Sequence, residues 1–208
     1  MEFQKVLETR RTIRDFSARP VSDEQLRRVL NAAFYAPTND HLRQFHFVVV
    51  RDRQRILQLV APMKANMPDF TQGVESLRGK MDADEYDMFA DALPKQEKML
   101  VESGCLVLPF FRHVGRPLLR PSCLSDLNYF ASVWCAIENI FLAVANEGLA
   151  CTMHIPIADE AEHVKRAVGA PEGYEFPCFI AIGYKSENAR MLKQKDICME
   201  ERVHHDVW

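Results

Sequence analysis

Between Arg10 and Phe16 the chain reads Arg-Arg-Thr-Ile-Arg-Asp-Phe, and one helix later it reads Ala36-Pro37-Thr38-Asn39-Asp40-His41. The first stretch sets three guanidiniums and a hydroxyl side by side. A guanidinium is a planar fork of donors that matches the oxygens of a phosphate. In an extended segment Arg10, Thr12 and Arg14 share one face, and Arg11 and Ile13 take the other. That spacing suits a phosphate site built without a glycine-rich loop; equally, it suits a solvated basic helix end, where cations are favourable. Pro37, Thr38, Asn39 and His41 could offer a hydroxyl, an amide and an imidazole to a ligand, or could simply form a turn that ends a helix. A third candidate is Cys151–Pro156, read as a short irregular run after Gly148 with backbone N–H groups to spare, or as a plain helix exit. Taken together, the first two stretches suggest an anionic, nucleotide-like ligand held from both sides.

Other chemistries lack their residues. The sequence contains no G-x-G-x-x-G, no G-x-x-x-x-G-K-[ST] and no G-x-S-x-G, which argues against Rossmann, P-loop and serine-hydrolase readings. The seven His show no H-x-x-x-H or H-E-x-x-H spacing, which argues against a metal site. The six Cys form no C-x-x-C pair, and several sit in apolar runs. They read as reduced, mostly buried thiols of a cytoplasmic protein, Cys151 included.

These residues need elements to position them. A short apolar stripe predicts a helix over 3–9, followed by the extended arginine segment. Ser22 with Gln25 three residues on predicts a capping box, and Leu26, Val29, Leu30, Ala33 and Phe34 then share a helix face. Pro37 ends that helix. Residues 45–50 read as a strand and 52–60 as a helix. Residues 61–100 hold Pro62, Pro68, Pro94 and five of the nine Met, and read as a helical insertion or lid. Residues 104–111 read as a buried strand and 112–121 as a basic loop. The longest helix is expected to be capped by Ser125 and Asp126 and to end at Gly148. It is apolar nearly all round, which places it at a core centre or a subunit interface. A helix over 158–168, a buried strand over 176–184 and a polar tail complete the chain. Strands separated by helices predict one α+β or α/β domain with a mixed sheet.

The chain has 208 residues, 48% hydrophobic, and a net charge of −3. That charge gives no global attraction to nucleic acid, so positive charge must act locally. The run 129–145 is interrupted by Ser132, Glu138 and Asn139 and is short of the roughly 20 residues a bilayer requires. A soluble protein with neither nucleic-acid nor membrane partners is expected.

Arg10–Phe16, Pro20-Val21, Ala36-Pro37-Thr38 and the strand 45–50, in this order, resemble the N-terminal signature of the nitroreductase family. Ala145-Asn146-Glu147-Gly148-Leu149 and the late Gly183-Tyr184 are similar to its later segments, so the resemblance spans nearly the whole chain. It implies an α+β fold with a mixed, mainly antiparallel sheet, an obligate homodimer, and FMN at the dimer interface reduced by NAD(P)H. It implies that Arg10, Arg11 and Thr12 grip the FMN phosphate and ribityl chain and that Arg14 faces the flavin pyrimidine. Pro37, Thr38, Asn39 and His41 fall in the flavin-contacting turn, completed by the partner subunit. Thr152 and Met153 lie near the loop that approaches flavin N5. Lys193 or Lys195 matches a late basic pair closing on the phosphate, and Lys98 a further, looser basic contact. Where the family has Asn, Gln, Pro and Trp, this chain has His41, Arg43, Gln44 and Phe45, so the acceptor can differ from a nitroaromatic. A small electron-poor acceptor, nitroaromatic or quinone-like, is implied. A flavin carrier without turnover, a reductive dehalogenase and a flavin-fragmenting relative are the alternatives. No protein nucleophile is required, and no catalytic side chain is assigned.

Overall fold

A computed structural model describes residues 1–66, 70–115 and 117–208. Pro68 of the expected lid and Arg116 of the basic loop lie outside the described residues.

The first helix, α1 (Phe3–Thr9), ends at Arg10, whose N–H still bonds back to Val6 O at 2.9 Å. Ser22 and Gln25 form the expected capping box at the start of α2 (Asp23–Ala33). Strand β1 (Phe45–Val50) follows, and then α3 (Arg53–Leu59), whose first turn is capped by Asp52. Four helices follow: α4 (Met63–Asn66), α5 (Phe70–Leu77), α6 (Ala83–Ala92) and α7 (Gln96–Val101). Met99 and Leu100 of α7 are fully buried, so the end of this segment belongs to the core. Strand β2 (Cys105–Arg112) leads through a loop to α8 (Asn128–Asn146). Asp126 does not cap α8. Its carboxylate turns back to accept from Ser122 N at 2.7 Å and Ser122 Oγ at 2.8 Å, and it closes the turn before the helix. Of the run Cys151–Pro156, expected to be irregular, residues 151–154 belong to strand β3 (Ala150–His154), because Thr152 and its neighbours pair along their whole length with a later strand. Helix α9 (Glu160–Val168), the two-residue β4 (Tyr174–Glu175) and β5 (Phe179–Gly183) complete the elements.

The sheet runs β1-β2-β5-β3, with β4 paired to β2, and every ladder among the described residues is antiparallel. The parallel component is a single bridge between Thr12 and Cys151. Proline within a central strand removes a ladder donor. Pro109 is tolerated because pairing of β2 with β5 stops at Val107 and β4 takes over at Phe111. Side-chain alternation explains the layers. Cys105, Val107 and Phe111 face α2 and α8, whereas Leu106, Leu108 and Phe110 face α3, α7 and α9. Only one side of α8 is covered: Val133, Ile137, Ile140 and Val144 are buried, and Ala131, Cys135 and Glu138 are exposed. Three of the six thiols, Cys123, Cys135 and Cys198, are exposed, fewer buried than their apolar surroundings suggest, and all six are unbridged.

The arginine segment closes the free edge of β3. Ile13 N donates to Cys151 O at 3.0 Å, Ser17 N to Tyr184 O at 2.8 Å, and Phe16 bridges to Lys185. Glycine is required where the Phe16 ring crosses β5, since a Cβ on Gly183 would lie 2.8 Å from Phe16 Cδ1 and 3.0 Å from Gly104 N. Gly183→Ala should therefore destabilise the fold by about 1–3 kcal/mol, an overpacking cost, read from urea denaturation midpoints.

Glu147, just past α8, receives both Arg28 nitrogens at 2.8 Å and so ties α8 to α2. The hydrogen bond from Arg28 holds the Glu147 carboxyl below its ordinary value, and backbone and side-chain bonds from Ser122 do the same for Asp126. A carboxyl depressed in the folded state stabilises it above the unfolded value of about 4, and this contribution is lost as pH falls through the folded value. Thermal midpoints should hold from neutrality down to about pH 5 and decline below about pH 4, less steeply in Glu147→Gln.

Candidate functional site

The hydrogen bonds that lay residues 13–17 along β3 and β5 also bring cations together. Arg10, Arg11 and Ile13 line a groove of about 250 Å³ with Phe141, Cys151 and Lys185. The expected sharing of a face by Arg10, Thr12 and Arg14 does not hold. Arg10 still belongs to the helix end, the chain turns there, and Arg11 folds back with Nη1 donating to Arg10 O at 2.7 Å. Arg11, rather than Arg14, is thus the second fork. Among the described residues none of Arg10, Arg11 and Lys185 has a carboxylate partner, in a protein of net charge −3. Lys185 was not singled out in the sequence. Its signal is its place directly after Gly183-Tyr184, where β5 ends against the arginine segment.

Arg14 goes elsewhere. Its guanidinium lies 3.4 Å from Asp91, which is only 5% exposed, and Lys95 bonds Asp91 and Asp15 at 2.6 Å each. Burial works against the Lys95 ammonium, but its bonds to Asp15 and Asp91 outweigh this and raise its pKa. This network of two cations and two anions fastens the end of α6 to the arginine segment. Lys193 and Lys195 are likewise engaged, with Asp84 at 3.4 Å and with Asp82 and Glu85 on the start of α6. The Asp84 bond raises the Lys193 pKa and the Asp82 bond that of Lys195. Lys98 is exposed and paired with Glu102 one turn on. None of these three lysines lines the Arg10–Arg11 groove.

Thr12, exposed, bridges Cys151 beside the groove. Thr152 is buried, with its hydroxyl donating to Met99 Sδ at 3.6 Å, so Met153 is the neighbour that faces outward. Burial raises the Cys151 thiol to about 12, which leaves it without thiolate character despite Arg10 nearby.

The Pro37–His41 turn lies apart from the groove. Asn39 N donates to Ser132 Oγ at 2.9 Å and Asn39 Oδ1 accepts from Asn128, both in the first turns of α8. The groove touches Phe141, Val144 and Ala145 near the other end. At 1.5 Å per residue, Ser132 and Val144 are roughly 18 Å apart along the helix. The turn is strained: Asp40, His41 and Arg43 have φ of 51°, 56° and 47°. Left-handed geometry is unusual for His and Arg, and such residues cluster at functional sites. Arg43 is held there by its N–H to Thr38 Oγ1 at 3.2 Å and its Nε to Phe34 O at 3.0 Å. Phe45 stacks on Phe34, ring centroids 5.4 Å apart.

The fold is that of a known class. The profile of the nitroreductase family matches residues 7–184, and the chain belongs to that family. It is 22% identical over 211 residues, covering all of this chain and 99% of the relative, to an Archaeoglobus fulgidus protein named "Putative NADH dehydrogenase/NAD(P)H nitroreductase". It is 25% identical over 199 residues, 94% of this chain and 85% of the relative, to iodotyrosine deiodinase of Haliscomenobacter hydrossis. Among solved structures, an iodotyrosine deiodinase bound to FMN and 3-iodo-L-tyrosine aligns over the full length of both chains with a TM-score of 0.76 at 19% identity. A BluB-like flavoprotein from Clostridium difficile 630 aligns over 99% of both with a TM-score of 0.73, also at 19% identity. At these identities the structural likeness is one of fold, and the fold is a flavin oxidoreductase scaffold.

Proposed function

We propose that this protein is an FMN-dependent oxidoreductase that takes hydride from NAD(P)H and passes it to a small electron-poor acceptor, nitroaromatic or quinone-like. The observation that carries this reading is the cluster of Arg10, Arg11 and Lys185, three cations with no carboxylate partner among the described residues, around one groove on a nitroreductase scaffold. A phosphate dianion fits that set, because each guanidinium can give paired, charge-assisted bonds. FMN supplies the redox chemistry when bound, and the protein supplies grip, orientation and electrostatics. Thr12 stands beside the phosphate end and Met153 faces outward on the adjoining strand.

At about 250 Å³ the groove is below the roughly 300–1,000 Å³ usual for a ligand pocket. It suits the phosphate and ribityl end, and the rest of the flavin needs further surface. The Pro37–His41 turn supplies it from a second copy: a two-fold pairing that runs two α8 helices antiparallel sets one chain's turn against its partner's groove. The uncovered side of α8 favours such a homodimer, as does the adjoining groove lined by Phe3, Tyr35 and Leu142, where Phe3 and Tyr35 are largely exposed. No nucleic-acid or membrane partner is proposed, and a cytoplasmic setting fits six unbridged thiols.

The deiodinase relatives favour a second reading, reductive dehalogenation on the same scaffold. Anaerobic stopped-flow separates the two. FMN-loaded protein reduced by NADH or NADPH should be reoxidised by a nitroaromatic or a quinone. Reoxidation by a halotyrosine alone supports the second reading, and no reduction by either nicotinamide contradicts both in favour of a carrier.

A further inference from the structure

His154, the last residue of β3, is 4% exposed, and Glu160, the first residue of α9, is 1% exposed. The two meet with Nε2 and Oε2 2.7 Å apart. The other ring nitrogen, Nδ1, lies 2.8 Å from Gln96 Oε1. The orientation of that amide is fixed, because Gln96 Nε2 donates to Ala92 O at 2.8 Å. Both ring nitrogens therefore face acceptors when Glu160 is a carboxylate, and a ring with one proton would then set a lone pair against a lone pair. Glu160 is also held from two further directions: Ile157 N donates to Oε2 at 3.0 Å and Asn66 Nδ2 to Oε1 at 3.1 Å.

The surroundings leave the ring as the only cation on that carboxylate among the described residues. From α7 comes the uncharged Gln96, from α4 the uncharged Asn66, and from β5 the Phe179 ring at 5.8 Å. Asp159, beside Glu160, accepts from the same Asn66 amide at 3.3 Å. Glu97, next to Gln96, is paired with Lys64 at 3.3 Å. A buried carboxylate whose single cation is removed bears an uncompensated desolvation cost.

We propose that His154 is a positioning residue: as a doubly protonated ring it clasps Glu160 and Gln96, and so locks α4, α7 and the 155–159 loop onto the strand that walls the flavin groove. Cys151 of that groove is three residues back along β3. The loop enclosed by the clasp includes Ala158 at φ 47°, a left-handed alanine held only if both ends of the loop are fixed. The consequence for catalysis rests on the flavin reading above, whereas the clasp itself does not.

The test begins with the unmodified protein. Nitrogen NMR of the His154 ring at neutral pH should show protons on both nitrogens, with strong coupling to one carboxylate. Glu160→Gln should leave a ring with one proton. Hydrogen exchange in α4 and α7 should quicken by about tenfold or more in His154→Gln. A singly protonated ring at neutral pH, or equal exchange in wild type and His154→Gln, overturns the proposal. FMN titration of the same samples separates the two readings: failure to bind FMN with the exchange effect intact contradicts the flavin reading alone.

Discussion

Replacing Arg10 and Arg11 together with Ala should strip FMN from the protein while leaving it folded. Neither guanidinium is tied to a carboxylate among the described residues, and both line the open groove, away from the buried core. A hydrogen bond to a charged group contributes about 1.5–3 kcal/mol. Losing one from each arginine weakens FMN binding on the order of 10² to 10⁴-fold, read by fluorescence titration. Lys185→Ala should weaken it about tenfold. Lys193→Ala and Lys195→Ala should leave it nearly unchanged, because those ammoniums are engaged by Asp84, Asp82 and Glu85. An affinity that follows Lys193 and Lys195 but not Lys185 would return the phosphate grip to the tail.

The largest stability effect is expected at Asp91→Ala. Asp91 is 5% exposed and accepts from Lys95 at 2.6 Å and Arg14 at 3.4 Å. Removing it leaves Lys95 with Asp15 alone and Arg14 without a carboxylate partner among the described residues. Breaking a buried pair from one side costs about 3–5 kcal/mol. In a chain of this length each kcal/mol moves the thermal midpoint by about 2–4 °C, so a fall of roughly 6–20 °C is expected by calorimetry. Asp91→Asn keeps an acceptor and should lose about half as much. A midpoint unchanged in Asp91→Ala would mean that α6 does not depend on this network.

Much of the fold could be read directly from the residues. The Ser22–Gln25 capping box, the 45–50 strand and the Asp52-capped helix are local signals, set by neighbours within one turn or by strict alternation. What could not be read depends on contacts across the chain. Cys151–His154 looks irregular alone and becomes a strand because β5 and the arginine segment pair with both of its edges. Asp126 looks like a cap for α8 and instead serves Ser122, which only the path of the preceding loop decides. The site divides the same way. Arg10 and Arg11 announce themselves by type, and the groove keeps them together. Arg14, Lys193 and Lys195 have the right charge, but carboxylates of α6 claim them, and no spacing rule reveals that competition. Lys185 was hidden because a lysine after a strand has no motif, and its meaning comes from the Phe16 bridge. The left-handed backbone at His41 and Arg43 falls where this chain leaves its family pattern, so the departures at the turn are structural as well as chemical.

The central claim is that the Arg10–Arg11–Lys185 groove holds FMN across a two-fold dimer. Its most direct measurement is the flavin content and mass in solution of the purified protein after incubation with FMN and gel filtration. A yellow dimer carrying one FMN per chain is the predicted result. A colourless monomer that takes up no FMN would contradict it.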